Sequence, residues 1–130
     1  MKAELYYLTL TAALTGLLWV PYILDRFMTW GLLPTVAYPD NPPAQSAWAQ
    51  RMKKAHDNAV ENLVVFGVLV LAAQDANVSN NVTATAAMAY FWARVVHVVA
   101  YTLAIPWVRT LAFTVGFLSY MAIAWQILAR

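Results

Sequence analysis

Four runs of mostly apolar residues, three of them at or near the length that crosses a lipid bilayer, divide this chain of 130 residues. A spanning helix needs about 20 such residues. The first run is YYLTLTAALTGLLWVPYIL, Tyr6 to Leu24, uncharged and closed by Asp25 and Arg26. Pro21 lacks a backbone donor, so it should bend this helix or mark its last turns. A cleaved signal peptide is the alternative for this run. It would have only Lys2 as its basic end and no clear small-x-small cleavage site. GLLPTVAYPDNPPAQSAWAQ, Gly31 to Gln50, holds four of the six prolines and reads as an ordered, non-helical loop. The second run, Asn62 to Ala73, is too short to cross alone. It reaches spanning length only if its helix starts near Arg51, which carries charged side chains toward the membrane inside a cover of protein. The third, Val82 to Ile105, has Arg94 and His97 near its middle and is closed by Pro106. The fourth runs from Thr110 to Leu128 between Arg109 and Arg130.

Composition agrees: 62% of residues are hydrophobic, 11% are charged and the mean hydropathy is +0.58, where soluble domains are about 45–50% apolar and about 25% charged. Lipid offers backbone groups no hydrogen bonds, so each run should be a helix. The expected fold is an all-α integral membrane protein, one domain over residues 1–130, an up-down bundle of four transmembrane helices. The spans fall at about 5–26, 51–74, 82–105 and 108–129, with a polar loop at about 27–50. The net charge is +2 and the basic residues are scattered, which argues against nucleic acid as a partner. Without cysteine there is no disulfide, no thiolate metal site and no cysteine nucleophile, so any thiol must arrive with a substrate. His56 and His97 are the only histidines and form no metal-ligand pattern; no metal is expected.

Arg26, Arg51, Lys53, Lys54 and Arg109 fall on one side of the membrane, against Lys2 and Arg130 on the other. The positive-inside rule puts the larger set in the cytoplasm, for a bacterial inner membrane or an endomembrane alike.

At 3.6 residues per turn, Arg51, Lys54, Asn58, Glu61 and Asn62 share an arc of roughly 100° on the second helix, with His56 nearly opposite. Tyr90, Arg94, His97 and Tyr101 share an arc of about 60° on the third. An arginine at the bilayer centre costs about 2.5–3.5 kcal/mol on insertion scales. Glu61, the one acidic residue beside a span's apolar core, is its expected partner. Each residue also has a plainer role: Arg94 with Glu61 as a structural ion pair, His97 and Tyr101 as polar packing, Arg51, Lys53 and Lys54 as interfacial anchors, Arg109 as a topology charge. As a site, the set suits a small zwitterion with several carboxylates, held by charge-assisted hydrogen bonds.

The block from Arg51 to Asn62, RMKKAHDNAVEN, resembles the R-x-x-[KR]-A-H-x-N-x-x-E-N signature of the MAPEG family, the membrane-associated proteins of eicosanoid and glutathione metabolism. ARVVHVVAY, Ala93 to Tyr101, followed by IPWVRTLAFTVGF, is similar to the third-to-fourth helix region of microsomal glutathione transferase and microsomal prostaglandin E synthase. The resemblance implies a homotrimer binding glutathione as co-substrate between protomers, near the cytoplasmic side. Arg51, Lys54, Asn58 and Glu61 would line that site from the second helix, and Arg94, His97 and Tyr101 from the third. Arg26 would reach a glutathione carboxylate, and Arg109 would be the catalytic arginine that stabilises the thiolate. Asp57, Thr110 and Phe113 depart from the prostaglandin synthase pattern, which has a basic residue, a serine and a tyrosine there. The departures turn the expectation toward a general transferase that could also act as a peroxidase, on a hydrophobic electrophile or lipid hydroperoxide drawn from the bilayer. Two other readings stand beside it: a non-catalytic lipid-binding or scaffold member of the same family, and a small transporter or channel subunit.

Overall fold

The computed structural model describes residues 1–129; Arg130, one of the two basic residues counted on the minority side, lies outside the described residues. Six helices follow in order: α1 (Ala3–Leu17), α2 (Trp19–Trp30), α3 (Leu32–Val36), α4 (Ala47–Asp75), α5 (Asn81–Thr102) and α6 (Val108–Leu128). α1 and α2 together make the first of four helices long and apolar enough to span, Ala3–Trp30. The break between them sits at Leu18, where the backbone bond tightens to Thr15 O at 3.4 Å. That is three residues ahead of Pro21, which cannot donate to Leu17 O. The molecule is an all-α, multi-pass membrane bundle in which successive spans alternate in direction.

α5 is the hub, packing most extensively on α6 and also on α1 and α4. Small side chains at Ala86, Ala87, Ala93, Ala112, Gly116 and Ser119 let α5 and α6 approach closely, as packing in lipid demands. Beneath Gly116, Tyr90 stacks on Phe66 with ring centroids 3.9 Å apart. Phe66, Val70, Ala73, Ala86, Ala87 and Ile123 complete this core, and Leu18, Ala55, Ala59 and Val98 form a smaller one nearer the other end.

Buried carboxylates pin the first span at both ends. Glu4 accepts from Ser79 Oγ (2.9 Å) and Thr83 Oγ1 (2.6 Å), tying α1 to the start of α5. Thr83 also closes a capping box with Asn80. Asp25 accepts the Ser46 backbone N–H (3.0 Å), the Ser46 hydroxyl and Gln45 Nε2 (3.2 Å), tying α2 to the start of α4. Glu61 is therefore not the one acidic residue near a span core: Glu4 and Asp25 are buried, and Glu61 is exposed.

The expected loop from Gly31 to Gln50 is partly helical. Gly31, at φ 86°, turns the chain into α3, and α4 starts at Ala47, four residues ahead of Arg51. α4 has 29 residues, about 44 Å of helix against about 30 Å of hydrocarbon. The helix is therefore longer than the apolar layer is thick.

α5 ends at Thr102 rather than Ile105 because the chain unwinds into a Schellman turn. Ile105 N–H donates to Ala100 O (2.9 Å) and Ala104 N–H to Tyr101 O (3.2 Å), with Ala104 left-handed at φ 58°. A second unusual residue follows. Trp107, at φ 69° and ψ −45°, sits in a γ-turn closed by Val108 N–H to Pro106 O at 2.8 Å, a strained form.

Two substitutions check these contacts. Asp25→Ala should lower stability by about 1–3 kcal/mol by orphaning its donors. It should also speed protease cleavage between residues 31 and 46, read by thermal unfolding and limited proteolysis in detergent. Ala104→Gly should raise stability by about 1 kcal/mol, because glycine occupies the left-handed region without the Cβ clash.

Candidate functional site

The site lies where the start of α4, the end of α5 and the start of α6 meet. Arg51 reaches from α4 to the end of α5, donating from Nε to Thr102 O at 2.9 Å. Val99, Ala100 and Tyr101 carbonyls accept from Leu103, Ile105 and Ala104, so this contact satisfies the last orphan carbonyl of α5 and sets a cation at its negative end. One turn and three residues along, Asn58 Oδ1 accepts from Arg94 Nη2 at 2.8 Å. Arg94 Nη2 also lies 3.3 Å from His97 Nδ1. Asn62 Nδ2 donates to Asn58 O (2.9 Å) and Oδ1 (3.3 Å), so Asn58 is held from behind.

The expected Arg94–Glu61 ion pair is not formed. Among the described residues the one salt bridge is Lys53 with Asp57, at 3.6 Å on the surface. The reason lies in the helix wheel. The buried stripe of α4 runs through Ala55, Ala59 and Phe66. Arg51, Asn58 and Asn62 fall on the edge of the polar arc nearer that stripe, while Lys54 and Glu61 fall roughly 60–100° farther round. Arg94, only 4% exposed, is met by an amide, and its Nε has no partner among the described residues. The alanines beside the polar arc were the sequence signal that could have separated Asn58 from Glu61.

Two neighbouring clefts share Tyr101 and Arg109. One, of about 290 Å³, is lined by Asn58, His97, Tyr101, Arg109, Thr110 and Phe113. The other, of about 200 Å³, is lined by Arg51, Ala100, Tyr101, Ala104, Ile105, Pro106 and Arg109. The Arg109 guanidinium carbon stands 4.6 Å from the centroid of the Tyr101 ring, a cation–π contact that aims the head group across both clefts. His97 packs edge-on against Tyr101 at 5.7 Å and lies 6.4 Å from Phe113. No acidic residue lines either cleft. The arrangement therefore suits an anionic ligand.

Of the nine residues expected to line the site, Arg51, Asn58, Arg94, His97, Tyr101 and Arg109 come together. Three do not. Lys54 and Glu61 lie exposed on α4, outside both clefts. Arg26 sits on α2, donating from Nε to Gln45 Oε1 at 3.3 Å and lying 4.7 Å over the Trp30 ring. His56 turns to α2, with Nδ1 2.8 Å from the Tyr22 hydroxyl. Asn62 as a brace and Thr110 and Phe113 as cleft walls are additions made by the structure.

Compared with known proteins, the sequence profile of the MAPEG family matches residues 5–129. No curated protein and no solved structure matches the chain.

A double-mutant cycle tests the observed pairing. Arg94→Met combined with Asn58→Ala should show a coupling of about 0.5–3 kcal/mol in thermal or denaturant unfolding, as expected for residues in direct contact. Arg94→Met combined with Glu61→Gln should show coupling within about 0.5 kcal/mol of zero.

Proposed function

The chain belongs to the MAPEG family, and on that premise we propose that it is a membrane-bound glutathione transferase, nearest the microsomal glutathione transferase and prostaglandin E synthase branch. The observation that carries the reading is the convergence of Arg51, Asn58, His97, Tyr101 and Arg109 around two adjoining clefts without a carboxylate. Glutathione is an anion at neutral pH, and Arg51 and Arg109 offer its carboxylates forked, charge-assisted donors. Lys54 and Glu61 extend the polar face of α4 outward, where Glu61 would hold the ammonium group. Arg26 would take part only through a rearrangement of its contact with Gln45.

Chemically the reading is thiol activation. A free cysteine thiol ionises near pH 8.5, and a nearby cation lowers that value. Arg109, the second residue of α6, adds its charge to the positive end of the helix dipole there. The thiolate sulfur attacks an electrophilic carbon, forming a C–S bond as the leaving group departs or the adduct takes up a proton. With a lipid hydroperoxide the sulfur attacks the terminal oxygen instead, giving a sulfenic acid and, after protonation, an alcohol. A second glutathione then yields the disulfide and water. Half-exposed Phe113 and Phe117 along α6 give an apolar route from the bilayer to the sulfur.

The exposed carboxylate of Glu61 among exposed Val60, Val64 and Val65 supports a homotrimer in which a neighbouring protomer covers this face, since a charge facing lipid is costly. The basic end carrying the site is assigned to the cytoplasm, in a bacterial inner membrane or an endomembrane.

A second reading, a non-catalytic lipid-binding member, has its own support. Apolar grooves of about 550 and 420 Å³ run between α5 and α6, on the side of these helices turned away from the polar clefts.

Glutathione binding to the detergent-purified protein, with thiolate absorbance followed across pH, tests both. The transferase should bind glutathione with a depressed thiol pKa. Arg109→Ala should abolish the thiolate signal at neutral pH and cut turnover by about 100-fold, in the range for removing one oxyanion-type donor, without altering oligomer size. An unchanged signal removes Arg109 from that role. Absence of binding by the folded wild type favours the lipid-binding reading.

A further inference from the structure

α3 presents a surface that neither the bundle core nor the site uses. Leu32, Leu33 and Val36 are 65%, 74% and 65% exposed, and Met28, on the last turn of α2, is 86% exposed. At 100° per residue the three α3 side chains share an arc of about 100°. Thr35 lies outside that arc, and its hydroxyl donates to the carbonyls of Gly31 (2.6 Å) and Arg26 (3.3 Å). So α3 lays its polar side across the end of α2 and turns its apolar side outward. The whole stretch FMTWGLLPTVAYP, Phe27 to Pro39, carries no charge.

The height of this element follows from the span it caps. From Glu4 to Arg26 the first span rises about 33 Å at 1.5 Å per residue, close to the ~30 Å hydrocarbon thickness. Arg26 is thereby set near the boundary of the apolar layer, and α3, bonded to its carbonyl, is at the same level. Trp30 and Tyr38 flank it, residue types that concentrate at the membrane–water interface. The position is fixed at both ends. Trp30 Nε1–H donates to Pro43 O at 2.6 Å, and Gln45 Nε2 donates to Tyr22 O at 2.8 Å, beside the Asp25–Ser46 tie. Charged and strongly polar residues return only at Asp40 and Asn41.

We propose that α3 is an interfacial anchor, with Leu32, Leu33, Val36 and Met28 seated among the headgroups and upper acyl chains of the bilayer. Lipid is the occupant of this face because the face continues the exposed apolar residues Leu24 and Met28 of α2 and is fixed at the boundary depth. Apolar helical faces bind there by burying area beside the acyl chains. A longer amphipathic helix is unnecessary, since the adjoining span already holds α3 at the surface.

The cysteine-free chain allows a direct test. Leu33→Cys, Val36→Cys and, as an aqueous control, Asn41→Cys would each be labelled with an environment-sensitive fluorophore in the full-length protein, reconstituted in phosphatidylcholine vesicles. The expected result is a blue-shifted emission at Leu33 and Val36, strong quenching by lipid spin-labelled near the headgroup, and loss of quenching by aqueous iodide relative to Asn41. Emission and iodide quenching equal to those at Asn41 would overturn the proposal. Protection from iodide and from spin-labelled lipid alike would also overturn it, by showing protein over this face. Substitution at these exposed positions leaves the core untouched, and an unchanged melting temperature verifies that each labelled protein is folded.

Discussion

A guanidinium enclosed between membrane helices must find its hydrogen-bond partners within the protein, because the surrounding lipid has none to give. Arg94 meets that demand through Asn58 and lies beside His97, and much of the polar end of the bundle follows from it. Asn58 must be at the right height on α4, which fixes how far α4 slides along α5. Asn62 holds the Asn58 amide from behind. With that register set, Arg51 comes level with the last carbonyl of α5. Tyr101 and Arg109 then close the clefts from α5 and α6. One expensive buried cation thus orders three helices around a polar recess. A recess organised in this way is positively charged by construction.

The two ends of the bundle solve a related problem differently. Helix termini carry unsatisfied backbone groups, and two here are met by side chains from other segments: Asp25 at the start of α4 and Arg51 at the end of α5, while Glu4 takes the Ser79 and Thr83 hydroxyls at the start of α5. The first span contributes a carboxylate at each end although its own middle is broken at Leu18. Its packing is therefore secured where polar contacts are available, and the weakened turns near Pro21 lie between fixed points.

Much of this architecture is legible in the amino-acid sequence. Run length and hydropathy suffice for four spans, and a period of 3.6 puts Arg94, His97 and Tyr101 on one face and Asn58 with Arg51 on another. Periodicity, however, resolves angle and not height or depth of packing. Asn58 and Glu61 share an arc and differ by less than one turn, so the stronger formal charge of Glu61 makes it the expected partner of Arg94. The neighbouring stripe of Ala55, Ala59 and Phe66 decides otherwise, because it turns Asn58 inward and Glu61 outward. Glu4 and Asp25 are illegible for another reason. Their partners lie far along the chain, Ser79 and Thr83 for one and Ser46 for the other, and no local pattern announces which distant segment will fold over a carboxylate. Likewise α3 hides in a proline-rich stretch, where Gly31 permits a turn that composition alone does not demand.

The connection between α5 and α6 has two residues in left-handed geometry, Ala104 and Trp107, within five positions. Such a link has no slack. Adding or deleting one residue there would turn α6 by about 100° and shift it by about 1.5 Å. Arg109 would leave the Tyr101 ring, and the small residues that let α6 nest on α5 would rotate out of register with it. The length of this turn is therefore as much a part of the site as any side chain in it, and variation among active chains of this design should substitute residues here without changing their number.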